Sequence, residues 1–152
     1  MELELDIQRD TTAPDLPTTT QIRRWVEAAL AGRRDRTELS VRLVDEPEGA
    51  DFNRRFRGRR GATNVLSFPF EPLPGLGECD LIGDLVICAP LVAREAQEQG
   101  KTPEAHWAHM LVHGVLHLLG YDHLVDEAAA EMERLETRIL CGLGFSPPYE
   151  DE

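Results

Sequence analysis

HMLVHGVLHLLGYDH, residues 109–123, holds four of the five histidines of the chain. His109, His113 and His117 step by four, so a helix sets them on one face. Gly120 supplies a stop at the end of that helix, and the turned chain can bring His123 back beside the same face. His113, His117 and His123 then form H-x3-H-x5-H, three imidazoles converging on one point. Three protein ligands with a fourth position left to water is the layout of a catalytic zinc site rather than a structural one. The expectation is one zinc ion per chain on His113, His117 and His123. Imidazole also suits nickel, copper and iron, so another divalent transition metal fits the same residues.

The spacing, with its glycine at the turn, is similar to the metzincin motif H-E-x-x-H-x-x-G-x-x-H. That motif places a glutamate after its first histidine as the general base. Here the position is Gly114, so a peptidase is not the default reading. Glycine there could also leave space for a bulky nucleotide. His109, one turn before His113, either lines the cleft or orients a neighbour. Met132 invites comparison with a metzincin Met-turn, but a core methionine in a helix is the simpler reading.

The chain has 152 residues, enough for one domain spanning 1–152 with a real core. At 41% hydrophobic and 29% charged it has the composition of a soluble protein. No apolar run approaches the roughly 20 residues of a membrane span. MELELDIQRD is neither a signal nor a transit peptide, so a cytoplasmic protein is expected. Cys79, Cys88 and Cys141 are odd in number and lack ligand spacing, and read as reduced thiols.

Net charge is −12, which argues against generic nucleic-acid binding. The charge is unevenly spread. Residues 1–70 carry twelve acidic and twelve basic side chains, and residues 71–152 carry sixteen and four. Five arginines, Arg54, Arg55, Arg57, Arg59 and Arg60, crowd into seven positions. A local basic patch on an acidic protein suits one particular anionic surface.

Leu3, Leu5 and Ile7 alternate with polar residues as in a half-buried strand. Residues 11–20 read as loop, and a threonine among 18–20 can cap a helix to about Ala31. Leu39, Val41 and Leu43 give a second strand. Asp45 with Glu48 resembles a capping box opening a short helix toward Phe56, stopped by Gly58. Residues 64–70 read as a third strand, with Pro69 pointing to an edge or an end. The Pro- and Gly-rich stretch 71–80 is a loop, either a flap or an ordinary connection. Residues 81–88 read as a fourth strand. Helices then follow from Pro90 to near Gly100, from Pro103 to about Leu119 and from Asp126 to Gly142. The last has Ala129, Met132, Leu135 and Ile139 as its apolar positions and many glutamates. Those glutamates form a solvated face or meet a basic protein. The tail from Ser146 reads as frayed. The pattern predicts an α+β domain, a mixed sheet of about four strands packed with about five helices, with the metzincin-like motif on a C-terminal helix.

Taken together, these stretches resemble the YbeY family of bacterial endoribonucleases. The resemblance is carried by Arg57-Gly58, TNVLSFPF at 63–70, IGDLVIC at 82–88, the histidine stretch at 109–123 and EMERLE at 131–136. It implies a single-strand-specific, metal-dependent endoribonuclease that matures the 3′ end of small-subunit rRNA and acts in ribosome quality control. It also implies the small ribosomal subunit, its proteins and an Era-type GTPase as partners, with no membrane. It marks Arg57 as important for activity. Chemically, zinc can polarise a phosphoryl oxygen or supply bound hydroxide. Arg57 can clamp the phosphate through two parallel hydrogen bonds. Arg54, Arg55, Arg59 and Arg60 could bind the RNA strand or form a solvated loop face. Two other readings stand beside this one: a non-enzymatic ribosome-assembly factor with a structural metal, and a zinc hydrolase of another class, peptidase-like.

Overall fold

Four strands form one mixed sheet in the order β1-β2-β4-β3. The computed structural model describes residues 2–71, 74–75, 79–121 and 126–149. His123 and much of the loop at 71–80 lie outside them. In chain order the elements are β1 (Glu2–Asp10), α1 (Thr19–Leu30), β2 (Arg36–Val44), α2 (Glu46–Arg57), β3 (Val65–Pro69), β4 (Leu81–Cys88), α3 (Ala89–Glu98), α4 (Pro103–Leu118) and α5 (Asp126–Gly142). Strands β1, β2 and β4 run parallel, and β3 pairs antiparallel with β4. The expected α+β class, four strands and five helices are all present.

Alternation assigns the two faces of the sheet. Leu39, Val41 and Leu43 of β2 and Leu85 and Ile87 of β4 point into the main core. Ile22, Trp25, Val26, Ala29 and Leu30 of α1 meet them there with Leu111, Val112, Val115 and Leu116 of α4. On the opposite face Val44, Leu66 and Val86 form a smaller cluster under Phe52 of α2 and Phe68 of β3. Helix α4 is central: it touches α1, α3, α5, β3 and β4. This explains why its sequence is apolar almost all round and not in a single stripe.

Local signals account for the helix ends. Thr18 caps α1 in a full capping box with Gln21. Thr102 caps α4, with Pro103 in the first turn. Asp45 differs from the expected box and makes no side-chain cap bond. Its carboxylate takes the Thr11 hydroxyl instead, and Glu48 pairs with Arg42 at 2.6 Å. Pro69 closes β3, an edge strand, where a missing N–H costs no ladder bond. Met132 is a core methionine, 1% exposed. No disulfide joins the three cysteines. Among the described residues no helix is long and apolar enough to cross a membrane.

Two irregularities meet beside β3. The β2–β4 register slips by one residue, since Glu38 faces Leu81 while Leu39 faces Gly83. Gly83 then adopts φ +145, and a Cβ there would fall against the Phe68 carbonyl oxygen and 2.8 Å from Leu118 Cδ2. Backbone strain and steric conflict both act on any larger residue. Gly83→Ala is expected to cost about 2–3 kcal/mol, read as a lower urea midpoint at unchanged m-value.

Candidate active site

The cleft follows the open edge of β3. With α2 on one face of the sheet and α4 on the other, residues Thr63 to Ser67 form its floor, and the cavity measures about 630 Å³. Arg57, Arg59 and Arg60 line one wall, and His113 and His117 the other.

The arginine wall is built by a helix end. Helix α2 terminates at Gly58 in the left-handed region, φ 65, with its N–H bonded to the carbonyls of Arg54 and Asn53. The Asn53 side chain donates to the Gly61 carbonyl at 2.8 Å. These bonds turn the chain so that Arg59 and Arg60 join Arg57 at the cavity. Arg54 and Arg55 are placed differently: both pair with Asp51, at 2.7 and 3.5 Å, on the exposed side of α2. The floor is held from below. Asn64 donates to Glu95 of α3 at 3.1 Å, and His106 of α4 meets the same carboxylate at 2.9 Å. Burial lowers the pKa of His106 more strongly than Glu95 raises it.

Along α4 the rings of His109, His113 and His117 follow one another, with centroids 6.3 Å apart and then 4.6 Å apart. His113 and His117 reach the cleft, but His109 does not. His109 is 6% exposed and lies behind His113, with Nε2 3.0 Å from Oε2 of Glu136. Its Nδ1 has no hydrogen bond among the described residues, so the ring proton belongs on Nε2, directed at the carboxylate.

Glu136 of α5 is the residue that sequence reasoning missed. It is fully buried. Oε1 meets His113 Nδ1, and Oε2 accepts from His109 and from the hydroxyl of Tyr149. Burial pushes its carboxyl up, but the hydrogen bonds from His109, His113 and Tyr149 win and bring it down to about 2. Burial and the adjoining carboxylate raise the Tyr149 hydroxyl, which stays protonated as a donor. The tail is therefore not frayed through Tyr149. A signal existed: position 136 falls on the buried stripe with Met132 and Leu140, so a glutamate stands where the helix period calls for an apolar residue.

The donor set fits a metal ion. His109, His113 and Glu136 each offer one ligand atom within 4.8 Å of the others and could hold one. The same carboxylate also accepts from Nδ1 of His113, which makes Nε2 the nitrogen suited to ligate on the cleft side.

Gly114 has a packing role. An added Cβ would sit 2.8 Å from Leu85 Cδ2 and 3.2 Å from Val65 Cγ2, and the Gly114 carbonyl accepts from Ser67 Oγ at 3.2 Å. The position faces the sheet and opens no space for a nucleotide. A side chain there would press on Leu85 of the core and on Val65 beneath the cleft.

The model of the family described as Endoribonuclease YbeY matches residues 6–144. The chain belongs to the YbeY endoribonuclease family. It is similar in fold to TM1509 of Thermotoga maritima, a solution structure, with a TM-score of 0.60 at 24% identity over 97% of this chain and 99% of that one. YbeY membership makes the chain a metal-dependent endoribonuclease of rRNA processing, a hydrolase with RNA as its substrate.

The lowered pKa of Glu136 has a sign for stability. Its contribution is complete above the ordinary carboxyl value of 4.5 and is lost as pH falls toward 2. In metal-free protein the gap between the urea midpoints of wild type and Glu136→Gln should be widest near neutrality. It should narrow from about pH 4.5 downward. A gap independent of pH would contradict an ionised Glu136.

Proposed function

We propose that the whole chain, residues 1–152, acts as one domain. In this reading it is a zinc-dependent, single-strand-specific endoribonuclease that matures the 3′ end of small-subunit rRNA in the cytoplasm and serves ribosome quality control. The observation that carries the reading is the shared cavity: Arg57 and the imidazoles of His113 and His117 line the same cleft. His113, His117 and His123 are the proposed zinc ligands. Bound zinc would polarise a phosphoryl oxygen or lower the pKa of a water.

The chain's own residues do the rest. Arg57 clamps the scissile phosphate through its planar fork, a geometry lysine does not copy. Arg59 and Arg60 extend the cationic wall along the strand. Arg54 and Arg55, exposed and shared with Asp51, guide RNA toward the mouth. A single strand fits an open cleft over an edge strand, where unstacked nucleotides can follow the floor. A peptidase would need its general base beside His113, and position 114 points into the core. Small-subunit proteins and an Era-type GTPase are the proposed partners. Family membership supports them, as does the acidic outer side of α5, where Glu127, Glu131 and Glu133 are exposed.

The test pairs metal content with cleavage of a single-stranded rRNA fragment. One zinc per chain is expected, with cleavage lost on chelation and restored by zinc. Arg57→Ala should keep fold and metal while cleavage falls about a hundredfold or more. Full cleavage by that variant would remove Arg57 from the chemistry.

The arginines should also separate by position. Arg59→Ala and Arg60→Ala are each expected to lower the salt slope of single-strand binding by about 0.7. Arg54→Ala and Arg55→Ala should change it less, since Asp51 already offsets their charge. A fluorescence titration across salt concentrations checks the ordering.

A further inference from the structure

We infer that Glu136 is a positioning residue for the metal, and that His109 and Tyr149 complete a buried relay fixing His113 from behind. The inference rests on the proposed ligation by His113.

Three side chains meet at the carboxylate of a fourth, and together they come from three parts of the chain. His109 and His113 come from α4, Glu136 from α5, and Tyr149 from the segment after it. Oε1 of Glu136 accepts from His113 Nδ1, and Oε2 accepts from His109 Nε2 and Tyr149. The rings of His109 and Tyr149 stand edge to face, with centroids 5.3 Å apart at 88°, and the Tyr149 hydroxyl lies 3.3 Å from His109 Nε2. The tail is pinned a second time where Lys101 Nζ donates to the Pro148 carbonyl at 3.2 Å. Tyr149 is therefore held in place and does not merely visit the site.

The chemistry assigns the roles. An ionised carboxylate only accepts, so each partner must donate. The His113 proton is thereby fixed on Nδ1, which orients the ring and strengthens Nε2 as a ligand. His109 and Tyr149 occupy the other oxygen and prevent the carboxylate from rotating. With both oxygens accepting from donors, Glu136 acts on the metal through His113; direct ligation by His109, His113 and Glu136 is the competing arrangement. The C-terminal segment thus becomes part of the metal site, although among the described residues none after 126 lines the cleft.

The experiment measures zinc affinity of the full chain by competition with a chromophoric chelator. Folding is monitored in parallel by circular dichroism of the metal-free protein. Glu136→Gln should stay folded and bind zinc about 10–100-fold more weakly, and Tyr149→Phe should weaken it by a smaller factor in the same direction. The visible spectrum of the cobalt-substituted protein should shift in both variants, which loss of stability alone would not cause. X-ray absorption of the zinc protein should show imidazole nitrogens and no change in ligand count in Tyr149→Phe. Affinity within about twofold of wild type in folded Glu136→Gln would overturn the inference. A carboxylate lost from the zinc shell in that variant would overturn it too, making Glu136 a ligand. If Glu136→Gln does not fold, Tyr149→Phe decides, unchanged affinity and spectrum being the overturning result. His117→Ala separates the two readings: full zinc affinity there would defeat the proposed ligand set, whatever Glu136 does.

Discussion

The arrangement depends on one buried negative charge. A carboxylate without solvent costs several kcal/mol unless donors surround it. Glu136 has none of its surface exposed, so its donors are a requirement of the fold. Two come from α4 and one from the segment beyond α5, and satisfying them fixes how these pieces meet. A hydrophobic contact between α4 and α5 would tolerate rotation or sliding by a fraction of a turn. The two directed hydrogen bonds from α4 do not, because each needs its donor on line with a particular oxygen. The compensation of the charge and the aim of His113 at the cleft are therefore the same interaction.

The cleft is a product of sheet topology. Had β3 been a central strand, a neighbour would occupy the place of the cavity. As the edge, it leaves its outer side open between α2 and α4. Exposed edges invite pairing with other chains, and here arginines and histidines flank the edge, with Pro69 at its end. The helix end at Gly58 and the histidine row of α4 come from opposite faces of the sheet. The cavity is where they can approach one another.

Much of this was legible in the sequence. The periodicities marked four strands and five helices, and a threonine among 18–20, Pro103, Gly58 and Pro69 marked ends. The histidine spacing placed His113 and His117 together, and the density of arginines pointed to the second wall. Three features were not legible. Glu136 read as one more glutamate on an acidic helix; its place on the buried stripe was the one signal, and single-helix periodicity does not say which donors lie across a tertiary contact. Gly114 read as a missing base, and only the packing against Leu85 and Val65 shows that the position looks away from the chemistry. Tyr149 stood in a proline-rich tail, where composition argues for fraying and the contacts of Tyr149 with Glu136 and His109 and of Pro148 with Lys101 reverse that conclusion. In each case the deciding partner is far away in sequence.

On the proposed reading, the charge distribution would give the site its selectivity. A polyanion approaching a chain of net charge −12 is repelled by most of the surface, and α5 and the outer side of β1 present acidic side chains. Arg57, Arg59 and Arg60 gather positive charge at one cleft, across from His113 and His117. Net repulsion would suppress non-specific binding, while the local field would favour a strand that enters the cleft. A uniformly basic protein would gain affinity for every RNA and lose this discrimination. An acidic body with one arginine-lined groove trades overall affinity for a defined place of contact, which suits a nuclease whose substrate is surrounded by other RNA.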